Sequence, residues 1–204
     1  MCKDCDCKFA RIGQKVESFK IEAYDPSNYG FTEIDFKKLQ TDGQWLVLFF
    51  YPADFTFVCP TELADLAEID DILRKMNITL VSMSTDTKFA HMAWRNSEKL
   101  LEKVSYLMGA DPTGEVARYF GVYDYGAGTA FRGTFIIDPD GLLVGQEINF
   151  NNVGRNSEEL LRKLRAFTYV RQNPAEVCPA RWKPNDKTLT PSEKLVGNVY
   201  DVLK

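Results

Sequence analysis

The chain has 204 residues, 45% hydrophobic and 26% charged, enough to build a real hydrophobic core and too apolar for wholesale disorder. A formal net charge of -4 argues against a nucleic-acid or anionic-membrane partner. No apolar run reaches the length of a membrane span, and the opening MCKDCDCKFARIG has Cys and Asp where a signal peptide needs an apolar stretch, so the expected location is the cytoplasm.

The first predicted strand is FKIEAYD, running into a turn-rich loop that ends near Gly30; TEIDFKKLQTDG then holds a short helical turn. WLVLFFY, a continuous run of aromatic and branched residues ended by Pro52, predicts a central strand buried on both faces. A helix follows, with Pro60 in its first turn and Leu63, Leu66, Ile69, Leu73 and Met76 along one face. ITLVSMS is the next strand, KFAHMAWRNSEKLLEK a helix, VSYLMG a short strand and GEVARYFGV a helix closed by Gly121. GAGTAFRG lacks the lysine and spacing of a phosphate loop and reads as a turn-rich lead-in. GTFIIDPDGLLVGQEI predicts a hairpin about an Asp-Pro-Asp-Gly turn, and NSEELLRKLRAFTYVRQ a long amphipathic helix. From Asn173 onward prolines recur and periodicity fades, so residues 1–172 are expected as the domain and 173–204 as an extension. Strands alternating with helices and then a hairpin mean an α/β protein with a mixed central sheet.

Five cysteines are too few and too uneven for a disulfide scaffold. Cys2, Cys5 and Cys7 crowd the N-terminus. A tetrahedral zinc site would need a fourth ligand from Asp4, Asp6 or another chain, and the reading favoured here is a functionally quiet terminus with no metal and no cofactor. Cys59 falls where the buried strand gives way to a helix. Unpaired backbone N–H groups and the positive end of the helix dipole favour a thiolate at such a position, although a free cysteine is equally often a buried hydrophobe. Thr56 lies one turn earlier, with a hydroxyl able to contact an incoming oxygen, and Pro52 and Pro60 stiffen the segment.

YPADFTFVCPTE resembles the active-site segment of the typical two-cysteine peroxiredoxins, the family that includes the bacterial alkyl hydroperoxide reductase C components. Pro52, Thr56 and Cys59 match its Pro-x-x-x-Thr-x-x-Cys pattern, and HMAW, FRGTFIIDPDG, NVGRNSEELLR and EVCPARWKP follow in the family's order. The resemblance implies a thioredoxin-like fold with a C-terminal extension, and a peroxidase that takes hydrogen peroxide and organic hydroperoxides. Within it Cys59 is the peroxidatic cysteine, Arg132 the active-site arginine, Glu62 the residue orienting Arg132, and Cys178 the resolving cysteine supplied by the other subunit of a homodimer. It further implies assembly into a decameric ring, with thioredoxin or a flavin-dependent disulfide reductase as electron donor. His91, the single histidine, is expected to pack or hydrogen-bond rather than act as a base, and Trp182 to dock the tail. The chain lacks the Gly-Gly-Leu-Gly loop and the C-terminal Tyr-Phe pair of overoxidation-sensitive members, which implies resistance to sulfinic-acid inactivation. A redox-regulated holdase and a thioredoxin-like disulfide oxidoreductase are the alternatives; the second is weakened because Cys59 is followed by Pro-Thr-Glu and not by a Cys-x-x-Cys partner.

Overall fold

The computed structural model describes residues 9–204; Cys2, Cys5 and Cys7 lie outside the described residues. The chain forms two compact units, the first ending at Asn156 and the second spanning Ser157–Lys204.

The first unit is built on a seven-stranded mixed sheet ordered β2-β1-β5-β4-β3-β8-β9. Its strands are β1 (Lys20–Asp25), β2 (Gly30–Asp35), β3 (Trp45–Phe50), β4 (Ile78–Ser84), β5 (Leu107–Ala110), β8 (Arg132–Ile137) and β9 (Leu143–Asn149). β3, β4 and β5 run parallel, and the remaining pairings are antiparallel. Every residue of β3 and of β8 is buried, as a strand covered on both faces requires. Pleating divides β3 between the faces. Leu46, Leu48 and Phe50 join one core with Phe36, Ala117, Phe120 and Phe135. Tyr51, just past the strand, meets Trp94 on the other side at 5.9 Å between ring centroids.

The helices of this unit are α1 (Phe36–Thr41), α2 (Cys59–Lys75), α3 (Lys88–Ser97) and α4 (Glu115–Tyr119). Two boundaries differ from the sequence reading. Residues 30–35, expected as loop and helical turn, form β2, because Asp25 accepts from Ser27 and Asn28 and folds the chain back into a hairpin. The helix expected to reach Lys103 stops at Ser97: Glu98 is extended and caps a separate 3₁₀ turn, Lys99–Leu101. The glycine-rich lead-in supplies the turn and second strand of a small hairpin of β6 (Tyr123–Asp124) and β7 (Thr129–Ala130). The Asp-Pro-Asp-Gly turn forms as expected, with Asp138 Oδ1 accepting from the amides of Asp140 and Leu142, both at 2.9 Å.

The second unit consists of α5 (Ser157–Gln172), the irregular tail with a 3₁₀ turn at Glu193–Leu195, and α6 (Val199–Leu203). The division falls at Asn156 where the sequence reading set it after residue 172, so α5 clusters with the tail. Trp182 explains this. Its buried ring lies 4.9 Å from that of Tyr169 on α5, and its carbonyl accepts from Arg162. Among the described residues no helix is long and apolar enough to cross a membrane, and no group of three or more His, Cys, Asp or Glu side chains could hold a metal ion.

Candidate active site

β3 ends at Phe50, and the chain runs through residues 51–58 before α2 starts at Cys59. Asp54 anchors this loop from beneath. Its Oδ1 accepts from Tyr51 Oη at 2.7 Å, its Oδ2 lies 2.8 Å from His91 Nδ1, and its own amide donates to Asp86 Oδ2 at 2.9 Å. His91 is fully buried, and its Nε2 lies 3.1 Å from the Gly109 carbonyl, so Nε2 carries a hydrogen. Nδ1 and Asp54 therefore share one proton. Burial first, and then the neighbouring Asp86, push the Asp54 carboxyl above its ordinary value despite His91. Burial and Asp54 push the Tyr51 phenol well up, so that hydroxyl stays a donor. His91 is thus a hydrogen-bonding residue of the interior.

With its root fixed, the loop turns sharply. Phe55 adopts φ 56°, a left-handed conformation uncommon for a bulky residue, and its ring lies 6.2 Å from Trp94. Thr56 Oγ1 donates to the Ala53 carbonyl at 2.8 Å. Its hydrogen is thereby committed, and the oxygen presents lone pairs to whatever lies above the loop.

Cys59 opens α2 with Pro60 behind it and no side chain capping the helix start. Pro60 has no N–H, and the amides of Thr61 and Glu62 donate to the Val58 carbonyl at 3.1 and 3.2 Å. The Cys59 side chain is buried, and Arg132 Nη1 lies 3.5 Å from its Sγ. Arg132 is itself buried, a charged residue within a strand of otherwise apolar character. Three contacts hold its plane: Nε donates to the Asn151 carbonyl at 2.8 Å, Nη1 donates to Glu62 Oε2 at 2.5 Å, and the same Nη1 faces the sulfur. Glu62 lies one turn after Cys59 on α2, so helical spacing places carboxylate and thiol on adjacent positions.

Arg155 is the residue the sequence reading passed over. It lies inside the quoted stretch NVGRNSEELLR, yet nothing local distinguishes it from a surface arginine. In the structure its side chain is 3% exposed. Its amide and Nε donate to Glu62 Oε1 at 2.8 and 2.9 Å, Nη2 donates to the Phe50 carbonyl at 2.9 Å, and Nη1 to Thr134 Oγ1 at 3.1 Å. Its guanidinium stacks 3.3 Å over the Phe49 ring. Burial lowers its affinity for its proton, and Glu62 opposes that. Glu62 therefore bridges two buried cations.

The charge balance follows. Arg132 and Arg155 bring two positive charges into the interior, Glu62 is paired with both, and Glu147 also acts on Arg155. The Arg132 guanidinium, 3.5 Å from Cys59 Sγ, is placed to hold negative charge that develops there. The geometry suits a sulfur nucleophile whose negative charge is held by a fixed guanidinium.

Of the remaining predicted residues, Pro52 closes β3 at the entrance to the loop. Cys178 belongs to the second unit, as a free and half-buried thiol. It lines an open groove of about 690 Å³ with Phe167, Val170, Val177 and Pro179. Burial first, and then Glu176, push its thiol up from the ordinary value, partly offset by Arg162.

Residues 12–146 match the model of the AhpC/TSA family, and residues 166–200 match that of the C-terminal domain of 1-Cys peroxiredoxin. Alkyl hydroperoxide reductase C of Bacillus subtilis is 46% identical over 92% of this chain and 98% of its own, and that of Staphylococcus aureus is 45% identical over the same shares. Among solved structures, Enterococcus faecalis AhpC superposes with a TM-score of 0.78 at 42% identity, over 84% of this chain and 100% of its own. Reduced Plasmodium vivax 2-Cys peroxiredoxin superposes with a TM-score of 0.86 at 27% identity, over 93% of this chain and 98% of its own. The chain is thioredoxin-like in fold, a mixed sheet flanked by helices with a C-terminal extension. It belongs to the AhpC/TSA family as a typical two-cysteine peroxiredoxin, and is thereby a thiol-dependent peroxidase.

Proposed function

We propose that the chain reduces hydrogen peroxide and organic hydroperoxides at Cys59 and closes each turnover with a disulfide to Cys178 of a second subunit. The observation that carries this reading is the buried Arg132 guanidinium 3.5 Å from Cys59 Sγ, held in place by Glu62 and the Asn151 carbonyl. The thiolate attacks the terminal peroxide oxygen. The S–O bond forms as the O–O bond breaks, and the departing alkoxide or hydroxide leaves as alcohol or water after taking a proton, with Cys59 left as sulfenic acid. Arg132 holds the negative charge on sulfur and then on the leaving oxygen. Thr56, its own hydrogen given to Ala53, accepts from the peroxide hydroxyl and orients it. Pro52 fixes the loop entrance, and Glu62 orients Arg132.

The Cys178 sulfur then attacks the sulfur of the Cys59 sulfenic acid; the S–S bond forms as the S–O bond breaks, and the oxygen leaves as water with the sulfenic hydrogen and the proton given up by the Cys178 thiol. Thioredoxin or a flavin-dependent disulfide reductase restores both thiols. We place the enzyme in the cytoplasm as a homodimer that assembles into a decameric ring; the strongly exposed Phe57, Phe89 and Phe150 supply apolar surface for such contacts. Functionally, residues 1–172 are the peroxidase domain and 173–204 the extension carrying the resolving thiol.

One equivalent of hydrogen peroxide added to the reduced protein should yield a disulfide-linked dimer within seconds on non-reducing electrophoresis. Cys59→Ser should abolish peroxide consumption, and Cys178→Ser should still consume the first equivalent without forming the dimer. Unchanged consumption by Cys59→Ser would sink the reading.

A further inference from the structure

Separate segments of the chain converge on Asp54. Tyr51, just past β3, donates to its Oδ1; His91 of α3 lies against its Oδ2, and the far nitrogen of that ring reaches the Gly109 carbonyl of β5. Asp86, beyond β4, accepts from the Asp54 amide, and the same Asp86 oxygen accepts from Ser84 Oγ at 2.7 Å. Asp54, His91 and Tyr51 are all buried, so this grip is made in the interior. The neighbours of Asp54 in sequence belong to the site. The Ala53 carbonyl accepts from Thr56 Oγ1, and Phe55 takes the left-handed φ of 56°. A bulky residue keeps that conformation only where its surroundings impose it. Arg132 is held by other groups, Glu62 and the Asn151 carbonyl.

We propose that Asp54 and His91 are positioning residues for the peroxide: they impose the turn at Phe55 that aims Thr56, and they leave the pairing of Cys59 with Arg132 untouched. The inference rests on the reading of Cys59 as the nucleophile and of Thr56 as the acceptor for the peroxide hydroxyl. Because His91 Nε2 gives its hydrogen to Gly109, Nδ1 and Asp54 Oδ2 need one hydrogen between them. Asp54→Asn supplies that hydrogen from its own amide, with Nδ2 donating to Nδ1 and Oδ1 still accepting from Tyr51. The carboxylate is lost and the grip is kept. Asp54→Ala breaks the grip, and His91→Phe breaks it from the other side while keeping the bulk of the ring.

In the full-length reduced protein, rapid mixing with hydrogen peroxide should show Cys59 oxidation slowed about 100-fold in Asp54→Ala and in His91→Phe, the scale of a misplaced contact at a reacting group. Asp54→Asn should stay within about threefold of wild type, since its contacts survive. The two breaks are read alike, so a variant that fails to fold leaves the other to decide. The pH midpoint for alkylation of Cys59 by iodoacetamide, followed on its own peptide, should not move in either, because Arg132 keeps its holders. Thr56→Val tests the route. Once that hydroxyl is gone, adding Asp54→Ala or His91→Phe should slow oxidation by no more than about a further twofold, as for residues acting through one interaction. Full additivity overturns the proposal, as does Asp54→Asn as slow as Asp54→Ala, or an alkylation midpoint that shifts. Undiminished peroxide consumption by Cys59→Ser, or a wild-type oxidation rate in Thr56→Val, removes the reading beneath and the inference with it. Loss in both of those variants, with wild-type rates in Asp54→Ala and His91→Phe, overturns the inference alone.

Discussion

Glu62 and Arg132 occupy one buried cluster but answer differently to substitution. Arg132→Met leaves Glu62 paired with Arg155, so the fold should persist. It removes the cation 3.5 Å from sulfur, and the rate of reaction with hydrogen peroxide should drop by roughly 10²–10³, the usual effect of losing a preorganised group at a developing charge. Rapid-mixing measurement of Cys59 oxidation checks this. Glu62→Gln leaves two buried guanidinium groups without their counter-charge and should cost about 3–5 kcal/mol in urea denaturation. A loss below about 1 kcal/mol would contradict the bridging role given to Glu62. At Cys178 the thiol is pushed up by burial and by Glu176. A raised thiol is protonated at neutral pH, so disulfide formation should quicken as pH rises, with a midpoint above that of an ordinary cysteine. Glu176→Gln removes the nearby negative charge and should move the profile to lower pH; stopped-flow measurements between neutral and alkaline pH decide it.

At the scale of elements, β8 carries Arg132 into the sheet, and Gly133 beside it makes the packing possible. A Cβ at Gly133 would come within 2.7 Å of Val122 Cγ1 and 2.8 Å of Phe135 Cε2. Neither neighbour yields easily, one being branched and the other a fully buried ring. Gly133→Ala should therefore cost about 1–3 kcal/mol in denaturant unfolding, and wild-type stability in that variant would show that the strand can shift. The fully apolar run of β3 and the Asp138 turn were legible because each has a local cause: continuous hydrophobicity in one, and a side-chain acceptor for two amides in the other. β2 was not legible. GFTEID has its inner face set only by pairing with β1, and the polar contacts of Asp25 decide the hairpin. The early stop of α3 has the same character, since Glu98 leaves the helix to cap the next turn.

Across the whole molecule, stability is unevenly spread. The central strands are buried on both faces, whereas from Lys183 onward the chain is mostly exposed. Hydrogen exchange should find the amides of β3 and β8 protected to the global limit, and peptides from 183–204 exchanging orders of magnitude faster. Equal protection of the two regions would mean that the tail is held by contacts stronger than those around Trp182.

The sequence by itself determined the central strands β3, β4 and β8, the long helices α2 and α5, the strand-to-helix position of Cys59, and the run of motifs that identifies the family. All of these are local patterns, repeated along the chain and readable without knowing what folds against what. Tertiary structure alone decided that Arg155 joins Arg132 on Glu62, that Asp54 and His91 share a proton beneath the loop, and that Tyr169 holds the segment of Cys178 at two points. A lone arginine, aspartate or tyrosine carries no periodicity. Its role depends on which distant groups burial forces into contact, because a buried charge or hydroxyl must find its partner wherever the fold brings one.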